Sequence, residues 1–344
     1  MTAACRGTSS ASSEGESHQS GAVQSGTSVP LYAPIAMPVK HCGKLLDGNT
    51  DLPGVIDFRL LHAAPGEGVP QFVRGVAMSH LGSRIEAALG TFDNECRWEL
   101  IDAIVTECPD DVFDASRELL HAGDERSRVL GADILGRLVT VDQGQRMRVS
   151  RTLRSALATE RDPSPVASIV AALGHVGDPA TLDLVFPLVS HACAEVRLAV
   201  AFAVATLSLQ PLGPQARVAL IRLSRDDNSE VRDWATHALG TLSDADGPEI
   251  RAALLARADD DCHEARAEAL FGLAVRRDPR AVPHLIRALQ SPHVHGLEVD
   301  AAAAAGDPRL LPALWALKLS GLADGLRLRR AIDRCSSSER PPLA

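Results

Sequence analysis

The chain has 344 residues, a formal net charge of −9 and 45% hydrophobic residues, yet only 3% are aromatic. Its length admits two or three ordinary domains or one long repeat array. Apolar mass drawn mainly from Ala, Leu and Val suits closely packed helices and would fill a large β-sandwich poorly. The acidic balance argues against a general nucleic-acid binder.

The most apolar stretch, Leu198–Leu207, is about half of what a membrane-spanning helix needs. Seven cysteines (Cys5, Cys42, Cys96, Cys108, Cys193, Cys262 and Cys335) are scattered without CxxC spacing, the pattern of reduced thiols rather than of a disulfide framework. The N-terminus shows no apolar core of a signal peptide. The reading is a cytoplasmic protein with no membrane segment.

Residues 1–30 are mostly Ser, Gly, Thr and Ala, and residues 31–77 carry five of the chain's prolines, from Pro34 to Pro70 with Pro30 just before them, without a sustained period apart from a short helix near Val55–His62. Such segments bury too little surface to offset the entropy of ordering. Residues 1–77 are therefore expected to be a disordered tail or a mis-assigned extension, with Met78 as the true start. Residues 336–344 are expected to be a disordered C-terminal tail.

Periodicity begins after Met78 and runs to Cys335. Ser127–Gly136 aligns with Val231–Gly240, and Val196–Ala205 and Ala265–Ala274 fall in the same frame, with Cys96–Ile104 an earlier copy. Val166–Gly174 is a copy without the arginine the others carry. Arg197, Arg232 and Arg266 lie 35 and 34 residues apart, a spacing typical of helical-hairpin arrays. Each unit holds two amphipathic patterns, with apolar residues at i, i+3, i+4 and i+7. Helix A is represented by Ala180–Val189, Ile250–Ala256 and Ala281–Leu289, and helix B is the arginine-bearing segment. Gly177-Asp178-Pro179, Asp278-Pro279 and Gly306-Asp307-Pro308 read as helix stop, cap and start. Asp226-Asp227-Asn228 and Asp259-Asp260-Asp261 read as N-caps of B helices. The fold class is all-α: a right-handed α-solenoid of about seven hairpins over residues 78–335, with polar helices capping both ends.

The phrases EVRLAVAFAV (Glu195–Val204), LIRLSRDDNSEVRDWATHALGTL (Leu220–Leu242), PEIRAALLARADDD (Pro248–Asp261) and RAEALFGLAVRRDPRAVPHLIRAL (Arg266–Leu289) resemble bacterial HEAT-repeat proteins of the PBS-lyase-like HEAT group. The resemblance covers about Ser79 to Cys335 and implies the armadillo-like solenoid. Group members range from bilin lyases to scaffolds, so it leaves function open.

No catalytic constellation emerges. His263-Glu264 resembles one of the His-Glu pairs that hold iron in HEAT-type deoxyhypusine hydroxylases, but those need several facing pairs and this chain has one. His293-Val294-His295 sits in a polar turn. A metal needs three or four converging ligands, and neither motif supplies them, so no metal or cofactor is expected. The alternatives are an enzyme of the bilin-lyase type, implied by resemblance alone, and a nucleic-acid-binding HEAT-like protein docking through the basic segment Arg146, Arg148, Arg151, Arg154 and Arg161.

The arginine column, Arg97, Arg128, Arg197, Arg232 and Arg266, reads as a structural ladder, each guanidinium bridging carboxylates or carbonyls of adjacent repeats. Glu195, Glu230 and Glu264 are the near acids in the repeat frame. With the arginine as position zero, the apolar positions form one arc, and positions +1 and +5 fall opposite it, toward the concave face lined by B helices. Those positions hold Trp98, Leu198 and Asp233, and Asp102, Asp133, Phe202, His237 and Phe271. Trp234 is expected to be half-buried. The functional reading is a non-catalytic scaffold that binds a segment of a protein partner along this strip, with Phe202 and Phe271 as exposed anchors.

Overall fold

The computed structural model describes residues 80–208, 211–320 and 325–337. The expectations for residues 1–77, and for residues 338–344 of the C-terminal tail, lie outside the described residues. Within them every regular element is helical and no strand forms.

The helices pair off in chain order: α1 (His80–Gly90) with α2 (Asn94–Ile104), α3 (Pro109–Leu120) with α4 (Glu125–Val141), and α5 (Arg146–Thr159) with α6 (Pro163–Val176). Then come α7 (Leu182–Val185) with α8 (Ala194–Leu207), α9 (Pro214–Leu223) with α10 (Ser229–His237), and α11 (Pro248–Leu255) with α12 (His263–Val275). The last pairs are α13 (Ala281–Leu289) with α14 (Gly296–Ala305) and α15 (Leu311–Ser320) with α16 (Gly325–Ser336). Eight pairs result where the sequence reading expects about seven, because the polar C-terminal cap is itself a hairpin. Its helix α16 buries Leu328, Ala331, Ile332 and Cys335 on one face and leaves its arginines on the other.

Punctuation follows local chemistry. Gly177 and Gly306 end α6 and α14 with φ of 69° and 57°, the left-handed conformation glycine adopts without a Cβ clash. Asp178 and Asp307 then accept the backbone N–H of Ala180 and Arg309 at 3.1 and 2.9 Å, with proline in the first turn. At the third such junction Arg277 takes the left-handed role, with φ of 52°. Helix A of the fourth hairpin departs from the expected Ala180–Val189 helix. It is split into a 3₁₀ turn, the single α turn of α7, and a second 3₁₀ stretch, Phe186–Ser190. Pro187 has no N–H to continue the α ladder, and its ring crowds the preceding turn.

The B helices pack at backbone distance. A Cβ on Gly136 of α4 would stand 3.0 Å from Ala172 Cα of α6. One on Gly272 of α12 would stand 2.5 Å from Gly240 Cα. Alanine and glycine at these crossings let the B layer close up, and the more tightly spaced layer of a stacked array lies on the inside of its curve.

Buried apolar side chains form two clusters that divide along α6. Ile169, Ala172, Leu173 and Val176 join the N-terminal cluster, whereas Val166, Ala167 and Val170 join the C-terminal one. Leu157 packs against both.

Candidate interaction surface

The arginine column forms a ladder between repeats. Arg197 binds both oxygens of Asp226 at 2.7 Å and donates to the His191 and Ala192 carbonyls at 2.9 Å. Arg232 grips Asp260 at 3.0 and 2.9 Å, reaches Asp261 at 2.7 Å, and donates to the Asp226 and Asp227 carbonyls at 3.1 Å. Arg266 donates to Glu298 at 3.0 Å and to the Asp260 carbonyl at 3.3 Å. Arg128 binds Glu160 at 2.8 Å, Asp162, and the Ala122 and Gly123 carbonyls at 3.1 Å. Arg97 binds Asp133.

From Arg128 onward each rung has one rule. The guanidinium satisfies carbonyls of the turn before its own helix and a carboxylate of the next repeat. The anions are not Glu195, Glu230 and Glu264, which lie near in sequence but on the arginine's own helix. The turn Asp226-Asp227-Asn228 supplies the expected N-cap, whereas Asp259-Asp260-Asp261 does not. Asn228 caps α10, accepting the Val231 N–H at 3.0 Å, and Cys262 stands at the N-cap position of α12. Asp226 and Asp260 instead brace their turns, accepting the Asn228 and Cys262 N–H at 3.0 and 2.9 Å, while holding the arginine of the preceding repeat. Burial works against a charged Asp260, yet the bonds from Arg232 and the Cys262 N–H hold its carboxyl at about 2.

A second cross-repeat tie escapes the column. Helix α10 runs on through a π-helical turn, Ala238–Leu242, whose end leaves carbonyls without intrahelical donors. Arg276 of the next hairpin donates to the carbonyls of Leu239, Gly240, Ser243 and Ala245 at 2.7–3.1 Å. Burial lowers its pKa from the usual arginine value. Only the tertiary approach of α12 to α10 reveals this role.

The inner strip is narrower than the helical wheel implies. Phe202 is only 7% exposed, and Asp233 is also buried. The Phe202 ring fills the space beside Gly174 of α6, lies edge-on to Trp234 at 5.3 Å between centroids and meets His175 at 4.6 Å. It is a core side chain between repeats and no surface anchor, because close B-helix packing brings neighbouring helices over the +5 position. Trp98, Leu198 and Phe271 are half-buried, as is Trp234. Asp102 is exposed and accepts from Arg137 at 2.5 Å. Burial raises the Asp133 carboxyl against the pull of Arg97. His237 stacks edge-on against Trp234 at 5.7 Å, and its Nδ1 lies 3.0 Å from Glu268 Oε1, off the hydrogen-bond direction but within ion-pair distance. The strip thus alternates half-exposed apolar groups with charge pairs.

The remaining motifs disperse. The His263 and His293 rings are 6.3 Å apart between centroids, and His295 serves as the N-cap of α14. No group of three or more His, Cys, Asp or Glu side chains gathers in metal-holding geometry among the described residues. In the basic segment, Arg148 pairs with Asp110 and Asp114 at 2.8 and 2.9 Å, and Arg146 donates to the Gly177 carbonyl. No described helix is long and apolar enough to cross a membrane.

Residues 150–240 match the family described as HEAT repeats. The protein YibA of Escherichia coli K12 is 33% identical over 143 residues, 42% of this chain and 49% of YibA, and the O157:H7 protein matches identically. The match thus spans about half the length of these relatives. The crystal structure of Escherichia coli YibA superposes with a TM-score of 0.62 at 21% identity, covering 80% of this chain and 100% of that one. Human deoxyhypusine hydroxylase in complex with glycerol aligns over 75% of this chain and 96% of its own at 19% identity, with a TM-score of 0.30 that carries no functional argument. The hairpins over residues 150–240 thus match HEAT repeats, and the whole array is HEAT-like in fold, as in YibA.

Proposed function

We propose that this HEAT-repeat solenoid is a non-catalytic scaffold that holds a segment of a protein partner along the inner face of its B helices. The observation that carries this reading is the strip of half-buried Trp98, Leu198, Trp234 and Phe271 on α2, α8, α10 and α12. Large apolar groups that stay partly accessible on an otherwise alanine-filled layer are the anchors a bound segment needs. The pairs Arg137–Asp102 and His237–Glu268 along the same face offer polar readout beside them. Phe202 and Asp233 drop out of the proposed contact set because neighbouring repeats cover them.

The test is a double variant, Leu198→Ser with Phe271→Ser. A partner cross-linked to the wild-type protein in its native host and identified by mass spectrometry should be lost from the variant. Melting temperature should fall by no more than a few degrees, since both side chains are already partly in water. Retention of the partner, or collapse of the fold, would remove the inner strip from consideration.

A further inference from the structure

Between Arg97 and Arg266 the ladder is broken at one junction, and both halves of the rung are missing there. Helix α6 carries Val166 where its neighbours carry arginine. The next turn carries His191 at the position that Asp226 and Asp260 occupy in later turns, six residues before the column arginine. In place of the column residue, Arg161 bends back and donates to the Glu160 carbonyl at 2.7 Å, the kind of turn carbonyl the ladder arginines satisfy elsewhere. The cation is therefore present and seated on its carbonyl side. Its anion is absent: no carboxylate of the described residues lies within ion-pair distance of Arg161. The nearby Glu160 and Asp162 side chains are both engaged by Arg128.

A pocket of about 270 Å³ opens beside this site, with Leu157, Val166, Leu184 and Leu188 as its apolar lining and Glu160, Arg161 and His191 as its polar one. Two features of the chain border it. Val166 stands where the other units place a rung arginine. Pro187 breaks helix A of this hairpin, and Leu184 is left 36% exposed. The pocket floor is apolar; on its rim Glu160 is neutralised by Arg128, and the Arg161 guanidinium makes no ion pair among the described residues.

We infer that the groove between α5 and the broken helix A of the fourth hairpin, Phe186–Ser190 included, binds an acidic segment of a partner protein. The partner inserts an apolar side chain between Leu157, Leu184 and Leu188, and an adjacent Asp or Glu completes the rung on Arg161. The charge requirement comes from the ladder itself, where every comparable guanidinium from Arg128 to Arg266 holds a carboxylate of the next repeat. This site lies at the turn edge of the array and does not depend on the inner strip.

The probe is a fluorescein-labelled peptide carrying one Leu-Glu-Glu triplet in a Gly/Ser frame, titrated against the full chain by fluorescence anisotropy at low salt. Leu-Gln-Gln and Ser-Glu-Glu peptides are the controls. The wild-type chain should bind the first peptide in the micromolar to millimolar range and each control at least about tenfold more weakly. Arg161→Gln should lose about tenfold, and Arg161→Lys should retain part of the affinity. His191→Asp, which supplies the missing anion within the chain, should weaken binding by a similar factor. Both positions are solvent-accessible, so unchanged circular dichroism and melting accompany the expected result. No saturable binding of the Leu-Glu-Glu peptide, or equal binding by Arg161→Gln, would overturn the inference. The inner-strip double variant separates the two readings: it should bind this peptide normally, and a loss there with none in Arg161→Gln would move the acidic segment to the inner strip.

Discussion

The junction between α6 and α8 and the stack from α8 to α14 are built from the same repeat, yet they are held together differently. From α8 onward, Arg197, Arg232 and Arg266 pass from each repeat to the next through Asp226, Asp260 and Glu298, and Arg276 adds a further tie. At the α6–α8 junction there is no rung, helix A is interrupted at Pro187, and the apolar core divides along α6 itself. What joins the B helices there is packing: Val166, Ala167 and Val170 against α8, and the Phe202 ring over Gly174 and against His175, while Ser150 and Arg146 of α5 tie to Asp178 and the Gly177 carbonyl. A repeat array is a sum of unit stabilities and nearest-neighbour interfaces, so an interface that rests on close packing in place of a rung should answer first to changes in that packing. The same interface is where a groove is free to receive something else.

This contrast can be broken most forcibly from the stitched side. Arg232→Ala leaves Asp260, whose side chain is only 2% exposed, with Arg257 at 2.9 Å as its one remaining cation. Breaking a buried ion pair on one side costs about 4 kcal/mol, and urea unfolding should show that loss together with a separate transition for the C-terminal repeats. A change below about 1 kcal/mol would mean that the rung is ornamental.

The packed side answers to Phe202→Ser. Removing an interior aromatic ring costs about 3 kcal/mol, and hydrogen exchange should accelerate in α6 and α8 before it does in α10 to α14. If exchange rose evenly along the array, the junction would be no weaker than the rest.

The smallest effect sharpens the comparison by pH. Burial, aided by Arg137, lowers His175 from 6.5 to about 4, so it is neutral in the folded protein. The unfolded chain takes up its proton near 6.5, so stability is full above that pH and declines as pH falls toward 4. Discounted for partial exposure, the loss is about 2 kcal/mol, and His175→Gln should abolish it. The ladder aspartates respond in a lower window. Asp260, lowered to about 2, keeps its contribution at pH 4 and loses it as pH approaches 2, and Asp226 is lowered below the usual aspartate value as well. Mild acid should therefore loosen the α6–α8 junction while the Arg197–Asp226 and Arg232–Asp260 rungs remain closed. Loss of both regions together on acidification would contradict this order.

Much of the architecture was legible in the chain itself. Helix periodicity, Gly-Asp-Pro punctuation and the 34–35-residue arginine spacing are local or periodic properties, and they specified paired helices stacked as HEAT repeats. The missing arginine at Val166 was visible too, as a gap in a regular column. Three things were decided only by packing. The anions of the ladder come from the next repeat's turns, so alignment within one repeat pointed to Glu195, Glu230 and Glu264 instead. A helical wheel places Phe202 opposite its own hairpin's core but knows nothing of the neighbouring helix that covers it. Arg276 caps a π turn that no local pattern announces. Sequence periodicity reports which face a helix turns toward its hairpin partner. How closely the next hairpin approaches depends on the Gly and Ala contacts between B helices, and that spacing buries Phe202 and leaves the Val166 groove open.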